Sequence, residues 1–410
     1  MLNFLKKEFQ TNYGRSRLKS LHKFMKICFF GTYDKKYSSN KIILDGFKKN
    51  FIKVLEINND IRITPLNNSN HLAILNLIKR LWIKLSLIPL IFKNLSKIKK
   101  CDAIYVGYPG HIDILISYPL AKLLGKKLIF YPCIILYITF TEDVNLFTKD
   151  SIYAKLLKIY ERFIYKLPDL IYSDIPLQKD VFINQFGVDP KKIKEIPIGA
   201  DDLIYTYSGV KNSKNLNVVY YGLYSPLHGV EHIINAAKIL KNQKNVKFLM
   251  VGDGQTFDQN YKLAKKNKLK NVIFYKDATE DNAKEILNSG HLFLGHAQKS
   301  PTVFRTLPNK VYQGLALGKV VITADTPASR GVFNHLGNAY LFKPANPKDL
   351  AKGILLLSKN PKLVSKIAEN GYKLYISRFT PKMIAKKIID DVSILVSKQK
   401  IKGAIKYAAS

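Results

Sequence analysis

Sixteen residues predict, in order, a loop, a short helix, a glycine turn and a buried strand: Leu307-Pro308-Asn309-Lys310-Val311-Tyr312-Gln313-Gly314-Leu315-Ala316-Leu317-Gly318-Lys319-Val320-Val321-Ile322. Pro308 suits the first turn of a helix, because the N–H that proline lacks is not needed there. The apolar residues after it recur at the spacing of one helical face. Gly318 can end the helix, and residues 320–322 are β-branched, which favours a strand. The stretch therefore predicts a helix that leads into a buried strand.

The same stretch also predicts a site for an anion. The free N–H groups and the dipole of a helix N-terminus favour negative charge, and Arg305 and Lys310 lie beside this one. A diphosphate leaving group needs its charge neutralised, and Arg or Lys can do this without a metal. The pattern is typical of an enzyme that handles a nucleotide-activated group. A solvated basic loop is the alternative in a chain so rich in lysine.

Strands and helices alternate along the rest of the chain in two series. The first series starts at residues 24–31 and the second near Leu216, with a boundary at 199–216. Such alternation is typical of open parallel sheets, which bind ligands at the carboxyl ends of their strands. We therefore predict an α/β protein with two Rossmann-like, doubly wound domains that face a central cleft. The expected parts are a basic N-terminal extension (1–23), a first domain (24–205), a second domain (206–380), and a C-terminal helix with a basic tail (381–410).

The composition narrows the choice of partners. The chain has 410 residues, too many for one simple core, and its net charge of +36 implies an anionic partner or surface. Residues 1–100 alone carry 21 Lys and Arg against 5 Asp and Glu, a net of +16. The three cysteines fit neither a disulfide nor a zinc pattern, and no segment has the character of a secretory signal or of an uninterrupted membrane span. We therefore expect a cytoplasmic protein with buried, reduced thiols.

Two glycine-containing turns of the second series are candidates for donor binding. Gly222 ends a strand shortly before residues 226–231 open a helix, so that a phosphate could approach the backbone closely. Gly252, Asp253 and Gly254 form a tight turn after the next strand, with room for a base or a ribose. Plain strand-to-helix turns are the alternative for both.

In the first series, His111 follows a strand and starts a helix. A histidine in that place can contact a sugar hydroxyl or a developing charge. A helix-capping or core histidine is the alternative. Asp113 lies in the first turn of the same helix, where an acidic residue suits the helix dipole.

A basic, amphipathic stretch from Asn76 to Lys100 predicts contact with an anionic membrane surface. It contains Trp82, the only tryptophan of the chain. Each Lys or Arg near such a surface contributes about 1 kcal/mol of binding free energy. A surface helix packed on the first sheet is the alternative, and nucleic acid is not expected because no motif for it is present. The residues expected at the membrane are Lys79, Arg80, Trp82, Lys84, Lys93 and Lys97.

Over about residues 24–390 the chain resembles the retaining family-4 glycosyltransferases of the GT-B fold, and most closely a bacterial and archaeal branch that builds surface glycans. Each matching motif is weak alone, but their order and spacing together are specific. The motifs are Phe29-Phe30-Gly31-Thr32-Tyr33-Asp34, Gly107-Tyr108-Pro109-Gly110-His111-Ile112-Asp113, Ile196-Pro197-Ile198-Gly199-Ala200-Asp201, Pro226-Leu227-His228-Gly229-Val230-Glu231, Val251-Gly252-Asp253-Gly254-Gln255 and Pro308-Asn309-Lys310-Val311-Tyr312-Gln313.

The resemblance implies transfer of a sugar from a UDP- or GDP-linked donor, with retention and with neither metal nor cofactor. The second domain would bind the donor and the first the acceptor, with His111 near the transferred sugar and His111, Arg305 and Lys310 as catalytic residues. The donor-binding residues would be Gly222, His228, Gly252, Asp253, Gly254, Pro308, Asn309, Val311 and Gln313. On the acceptor side we expect Gly31, Thr32, Tyr33, Gly110 and Asp113.

The chain departs from the family pattern at several positions. Arg305 and Gln313 occupy the places of the family's acidic pair, and Leu223 and His228 those of its usual Arg and Lys. Gln313 could still hydrogen-bond the donor ribose or sugar. We expect a transferase on the cytoplasmic face of the membrane, with a lipid-linked or growing glycan as acceptor. A sugar-nucleotide epimerase of the same fold and a non-catalytic partner subunit of another transferase are the alternatives.

Overall fold

The computed structural model describes residues 25–59, 84–143, 146–211, 213, 215–276 and 278–408, and it divides into two α/β units. The first unit contains the described residues of 25–137 and 147–197, and those from 381 onward. The second contains the described residues of 138–146 and 198–380. The extension predicted at 1–23 lies outside the described residues.

The first unit is built on a parallel sheet of six strands in the order β2-β1-β3-β4-β5-β6. The strands are β1 (Lys26–Gly31), β2 (Lys53–Asn58), β3 (Ala103–Val106), β4 (Lys127–Phe130), β5 (Leu170–Ser173) and β6 (Ile193–Glu195). The helices between them are α1 (Ser38–Lys49), α2 (Leu87–Lys99), α3 (Asp113–Leu123), α4 (Ile152–Ile164) and α5 (Pro176–Phe186). Parallel crossovers are right-handed, so the leftward connection from β1 to β2 puts α1 on one face, and the rightward connections put α2 to α5 on the other.

The second unit has the same architecture, with its six parallel strands in the order β12-β11-β10-β7-β8-β9. The strands are β7 (Leu216–Tyr221), β8 (Val246–Val251), β9 (Val272–Tyr275), β10 (Leu292–Leu294), β11 (Val320–Ala324) and β12 (Tyr340–Phe342). The helices are α6 (Val230–Ile239), α7 (Phe257–Lys266), α8 (Glu280–Ser289), α9 (Pro301–Arg305), α10 (Asn309–Ala316), α11 (Pro327–Arg330), α12 (Pro347–Ser358) and α13 (Pro361–Arg378). The chain goes from β7 outward to β9 and then returns to the other side of β7, so a topological switch point lies between β7 and β10.

A long C-terminal helix, α14 (Pro381–Ala408), returns to the first unit and packs on α1. The two helices approach closely at Gly46, where a Cβ atom would lie 2.2 Å from the carbonyl oxygen of Pro381. Ile384, Ile388 and Val392 of α14 join the core cluster that includes Phe29 of β1. This helix therefore covers the face of the sheet that also carries α1.

The structure confirms the elements predicted from the opening stretch. Helix α10 begins at Asn309 with Pro308 at its N-cap position, and the backbone turns at Gly318, where φ is 70°. Strand β11 follows and is buried at each of its five residues. The sequence did not predict the strands β6 and β12 or the helices α5, α7, α9 and α11.

The described helices contain no stretch that is both long and apolar enough to cross a membrane.

Candidate functional site

In the second unit, the turns after the neighbouring strands β7 and β8 lie side by side, next to the switch point. The backbone at Gly222 has a φ of 137° and that at Gly252 a φ of 122°, values that favour glycine. A Cβ atom on Gly252 would lie 2.2 Å from the carbonyl oxygen of Gly222, so only glycine fits there. The N–H of Gly222 donates to the carbonyl of Val251 (3.1 Å), which holds the two turns together. Two bare backbone segments therefore lie side by side at the carboxyl ends of adjacent strands.

Lys310 lies beneath this pair of turns, on the first turn of α10. Its side chain packs against Gly222, and its Nζ lies 4.1 Å from the centre of the Tyr220 ring. The residue is 5% exposed, and its ammonium group finds no hydrogen-bond partner among the described residues. Burial lowers the pKa of Lys310 from 10.5 to about 7. An unpaired buried cation beside a helix N-terminus is a site that an anion would complete.

Two histidines lie near Lys310. The His228 and His296 rings have centroids 5.4 Å apart, and Nδ1 of His228 lies 3.0 Å from the Tyr220 hydroxyl. Burial, assisted by the Lys310 charge, lowers the pKa of His228 to about 3, and burial holds that of His296 well below its usual value. Both rings are therefore neutral, and Lys310 is the group of this cluster that can carry positive charge.

Arg305, at the end of α9, is paired with an acidic residue that was not predicted from the sequence. Its guanidinium donates to Oε2 of Glu142 at 2.6 Å, and the hydroxyl of Thr302 donates to Asp143. Both carboxylates belong to a π-helical segment, Thr139–Asp143. Glu142 therefore already compensates the charge of Arg305. The role of Arg305 in diphosphate binding stays a prediction.

The other predicted donor residues lie around the same cluster with different exposure. Asn309 opens α10, where the first N–H groups of a helix have no intrahelical partner. Gln313 is half-buried one turn after Lys310, whereas the Val311 side chain is buried in the core. Val311 can therefore contribute only its backbone.

The turn after β8 reaches solvent. Asp253 is exposed, with its carboxylate 3.8 Å from Nζ of Lys276, and its carbonyl accepts the N–H of Tyr224 (2.9 Å). Gly254 has a φ of 143°, and a Cβ atom there would lie 2.9 Å from the nitrogen of Tyr224. The turn is thus fixed against the backbone that follows β7.

In the first unit, Asp113 joins the loops after β1 and β3. Its buried carboxylate accepts the N–H of Thr32 (2.9 Å) and pairs with Nζ of Lys84 at 2.8 Å. Gly31 precedes this contact, and a Cβ atom on it would lie 2.8 Å from the carboxylate. Gly31, Thr32 and Asp113 therefore do come together. Lys84 needs a correction: we expected it at the membrane, but its ammonium is held by this buried carboxylate and by Thr32.

Two further residues predicted on the acceptor side have structural contacts. Tyr33 is fully buried, and its hydroxyl donates to Glu56 (3.1 Å). Gly110 has a φ of 44°, and a Cβ atom there would lie 2.6 Å from the carbonyl oxygen of Gly107. Both residues shape the loop that carries His111. The Tyr33 side chain is buried and donates to Glu56, so the predicted contact of this side chain with an acceptor needs a correction.

His111 is held between two backbone carbonyls. Its Nδ1 contacts the carbonyl of Pro109, and its Nε2 lies 3.2 Å from that of Ile134. Burial lowers the pKa of His111 to about 4, so the ring is neutral at pH 7. A neutral imidazole has a single N–H, so His111 can donate to only one of these two carbonyls. The backbone thus surrounds an uncharged, polar ring.

Sequence reasoning missed Glu161, which lies behind His111. Its carboxylate accepts the N–H groups of Leu136 and Tyr137, both at 2.8 Å, and the hydroxyl of Tyr165. One of its oxygens is 3.7 Å from Nε2 of His111, and burial raises the pKa of Glu161 to about 7. A signal existed: Glu161 is an acid on the inward, otherwise apolar face of α4, two turns after the buried Ala154.

With this geometry in place, the chain can be compared with known proteins. Residues 207–374 match the model of the family described as "Glycosyl transferases group 1". This part of the chain is a group 1 glycosyltransferase domain. Such enzymes are retaining and generally metal-independent, so the predicted enzyme class is confirmed. No curated protein sequence is detectably similar to the chain.

Solved glycosyltransferases extend the similarity to both units at low identity. HepE (Alr3699) from Anabaena, in complex with UDP, is 16% identical with a TM-score of 0.63, over 90% of this chain and 100% of that one. Sucrose-phosphate synthase from Thermosynechococcus elongatus is 12% identical with a TM-score of 0.62, over 94% and 100%. A glycosyltransferase from Rickettsia africae is 15% identical with a TM-score of 0.58, over 90% and 98%. The predicted GT-B fold with two Rossmann-like domains is therefore confirmed.

The remaining predictions concern a metal ion and the membrane. Among the residues that the structure describes, no group of three or more His, Cys, Asp and Glu side chains could hold a metal ion. Lys79, Arg80 and Trp82 lie outside the described residues. Lys93 and Lys97 are exposed on α2, as contact with a surface would require.

Proposed function

We propose that the protein transfers a sugar from a nucleotide-sugar donor to a lipid-linked or growing glycan acceptor at the cytoplasmic face of the cell membrane. Transfer proceeds with retention and without a metal. One observation carries the proposal: the buried ammonium of Lys310 has no hydrogen-bond partner among the described residues and lies beside Gly222 at the start of α10.

A diphosphate is the ligand that this arrangement suits best. Its negative charge would stabilise the protonated form of Lys310, which burial otherwise disfavours. The N–H groups at the start of α10 and the bare backbone at Gly222 offer further donors and room for phosphate oxygens. As the bond between sugar and phosphate breaks, the same groups would stabilise the charge that develops on the leaving nucleotide. HepE has been solved with UDP and with UDP-glucose, which makes uridine the first nucleotide to test.

The first unit supplies the acceptor side in this proposal. His111 is a neutral imidazole whose two ring nitrogens face the carbonyls of Pro109 and Ile134, so in this proposal it holds an uncharged, polar loop near the transferred sugar. Thr32 lies beside the carboxylate of Asp113, and this carboxylate is already compensated by Lys84. A retaining transfer does not require a protein carboxylate to act as base on the acceptor face, so we assign Asp113 to holding the loop.

The deciding experiment supplies a panel of UDP- and GDP-sugars with and without a lipid extract from bacterial membranes. Released nucleotide together with labelled lipid is the expected result. An altered sugar without acceptor would instead identify an epimerase, and a complete lack of turnover would favour a non-catalytic subunit.

The matched variants for this assay are Lys310→Ala and Lys319→Ala. Lys319 is also buried, but its Nζ donates to the carbonyls of Gly209 (2.5 Å) and Asn288 (2.8 Å) at the amino ends of the strands. We expect the change at Lys310 to lower turnover at least about 100-fold, and the change at Lys319 to act on stability alone. Equal turnover by the Lys310 variant and the wild-type protein would refute the assigned role.

A further inference from the structure

Helix α4 presents a continuous apolar stripe to solvent. Ile152, Leu156, Ile159 and Phe163 fall on successive turns, and each is between 56% and 65% exposed. The opposite face of the helix packs inward through Ala154, Glu161 and Ile164. The stripe therefore extends over about 16 Å of helix and is additional to the face that the fold requires.

The charges around this stripe are of one sign. Lys155, Lys158 and Arg162 flank it, and the one acid of the helix, Glu161, is fully buried. No exposed carboxylate therefore balances the cations on this helix.

Two other helices of the same sheet face, α2 and α3, show the same combination. Phe92 of α2 is 72% exposed and Leu123 of α3 is 84% exposed. The two helices carry Lys93, Lys97, Lys99 and Lys122, and their one acid, Asp113, is buried. Right-handed crossovers place α2, α3 and α4 on one face, so this face combines apolar side chains with seven cations.

We propose that α4 is an interfacial helix that lies in the surface of an anionic lipid bilayer, with its stripe inserted among the acyl chains. Two contributions to the binding free energy hold such helices at anionic bilayers: burial of apolar area and attraction of the flanking cations to the lipids. The long Lys and Arg side chains can extend to the headgroups. A second copy of this chain is a poorer occupant, because it would bring the seven cations of α2, α3 and α4 together with Asp180 of α5 as the one exposed carboxylate on the helices of this face. The inference rests on the proposed function, in which the acceptor lies at a membrane.

The site for insertion differs from the one that the sequence suggested. The residues predicted at the membrane lie in α2 and in the segment before it, and among them Lys84 pairs with the buried Asp113. The sequence predicted α4 as a helix of the first series and indicated no membrane contact for it. It also contacts the loop of the candidate acceptor site, since the hydroxyl of Tyr160 donates to the carbonyl of His111 at 2.6 Å. One helix therefore touches both the proposed membrane surface and that loop.

The test measures binding of the full-length protein to vesicles by flotation. Vesicles of phosphatidylglycerol with phosphatidylcholine are compared with vesicles of phosphatidylcholine alone. The variant Ile159→Ser/Phe163→Ser removes the middle of the stripe, and we expect its binding to the anionic vesicles to fall at least about tenfold. The matched control, Ile239→Ser/Ile376→Ser, removes two side chains of the second unit that are about half exposed (51% and 46%), and it should bind as the wild-type protein does.

A charge variant and a fluorescent probe complete the design. Lys155→Gln/Arg162→Gln should weaken binding to the anionic vesicles by about 30-fold, because two cations are removed. An environment-sensitive dye attached to an Ile159→Cys variant should shift to the blue on those vesicles. Urea unfolding monitored by circular dichroism must show that each variant is folded.

Two results would overturn the proposal. One is wild-type vesicle binding by the stripe variant. The other is a dimer, detected by light scattering, that the stripe variant abolishes while vesicle binding persists, since it would identify a second copy as the occupant. Nucleotide release measured without lipid is independent of both results, so the proposed transferase function and the membrane face can fail separately.

Discussion

The pairing of Lys310 with a donor diphosphate should be visible as a proton taken up from solution. In the protein alone, burial sets the pKa of Lys310 at about 7, so about nine-tenths of these side chains are neutral at pH 8. A bound diphosphate would return the pKa to its ordinary range. Binding of one nucleotide at pH 8 should therefore consume about 0.9 of a proton.

The sign and size of the effect on affinity follow from the same linkage. Only the protonated form pairs with the diphosphate, so each pH unit above 7 should weaken binding about tenfold. Below pH 7 the affinity should level off. The measurements stay between pH 7 and 9, because terminal phosphates titrate near pH 6.

Calorimetric titration of UDP and of GDP in two buffers with different ionisation enthalpies measures the proton count directly. Lys310→Met keeps the length and volume of the side chain and should bring proton uptake close to zero. Lys319→Met is the control, because burial lowers the pKa of Lys319 to about 8 while its ammonium is hydrogen-bonded within the fold. It should leave the uptake unchanged. Wild-type binding without proton uptake at pH 8, or full uptake in the Lys310 variant, would show that Lys310 does not pair with the diphosphate.

Three further changes test other parts of the structure. In the wild-type protein, the free energy of unfolding should fall by up to about 3 kcal/mol as pH rises from about 4.5 to about 7, because native Glu161 keeps a proton that the unfolded state releases. Glu161→Gln should abolish this fall. Urea unfolding of both proteins at pH 5 and pH 8 measures the difference. Gly252→Ala places a methyl group 2.2 Å from a backbone oxygen and should cost about 2–4 kcal/mol with loss of nucleotide binding, whereas Gly125→Ala, with a φ of 60° and open space, should cost about 1 kcal/mol; equal costs would contradict the steric argument. Arg305→Glu should destabilise the protein by about 1–2 kcal/mol and the added change Glu142→Arg should restore part of the loss; a double-mutant cycle with no coupling would exclude the ion pair.

Local sequence predicted the elements whose signals lie close together in the chain. Asn309 to Ala316 is helical and β11 is a buried strand, because a proline, an apolar period, a glycine and a β-branched run agree over sixteen residues. Strand β6 was missed because it has three residues, two of them charged, so that neither alternation nor an apolar run is visible. Helix α5 begins at a proline and mixes polar with apolar residues on all sides, which hides its period.

The candidate site was predictable in outline, but its contacts were not. Lys310 and Gly222 could each be recognised, since each lies at the end of a predicted element. Their contact joins residues far apart in sequence, and so does the pair of Arg305 with Glu142. Such contacts depend on the order of strands in the sheet, which the pattern of one sequence does not specify. Lys84 was misassigned for the same reason, because an exposed lysine and one paired with a distant Asp113 have the same local pattern.

The return of α14 to the first unit has a consequence for how the protein is made. The unit that starts at residue 25 still lacks one covering helix when residue 380 has been added, whereas the second unit has all its residues by then. During synthesis, the first unit therefore begins first and is completed last. Until α14 is made, apolar side chains of its sheet such as Phe29 lack their packing partners Ile384 and Ile388. A premature stop just before Pro381 would leave the donor-side unit intact and the other prone to aggregation. The segment from Pro381 onward thus decides whether the first strand lies in a complete core.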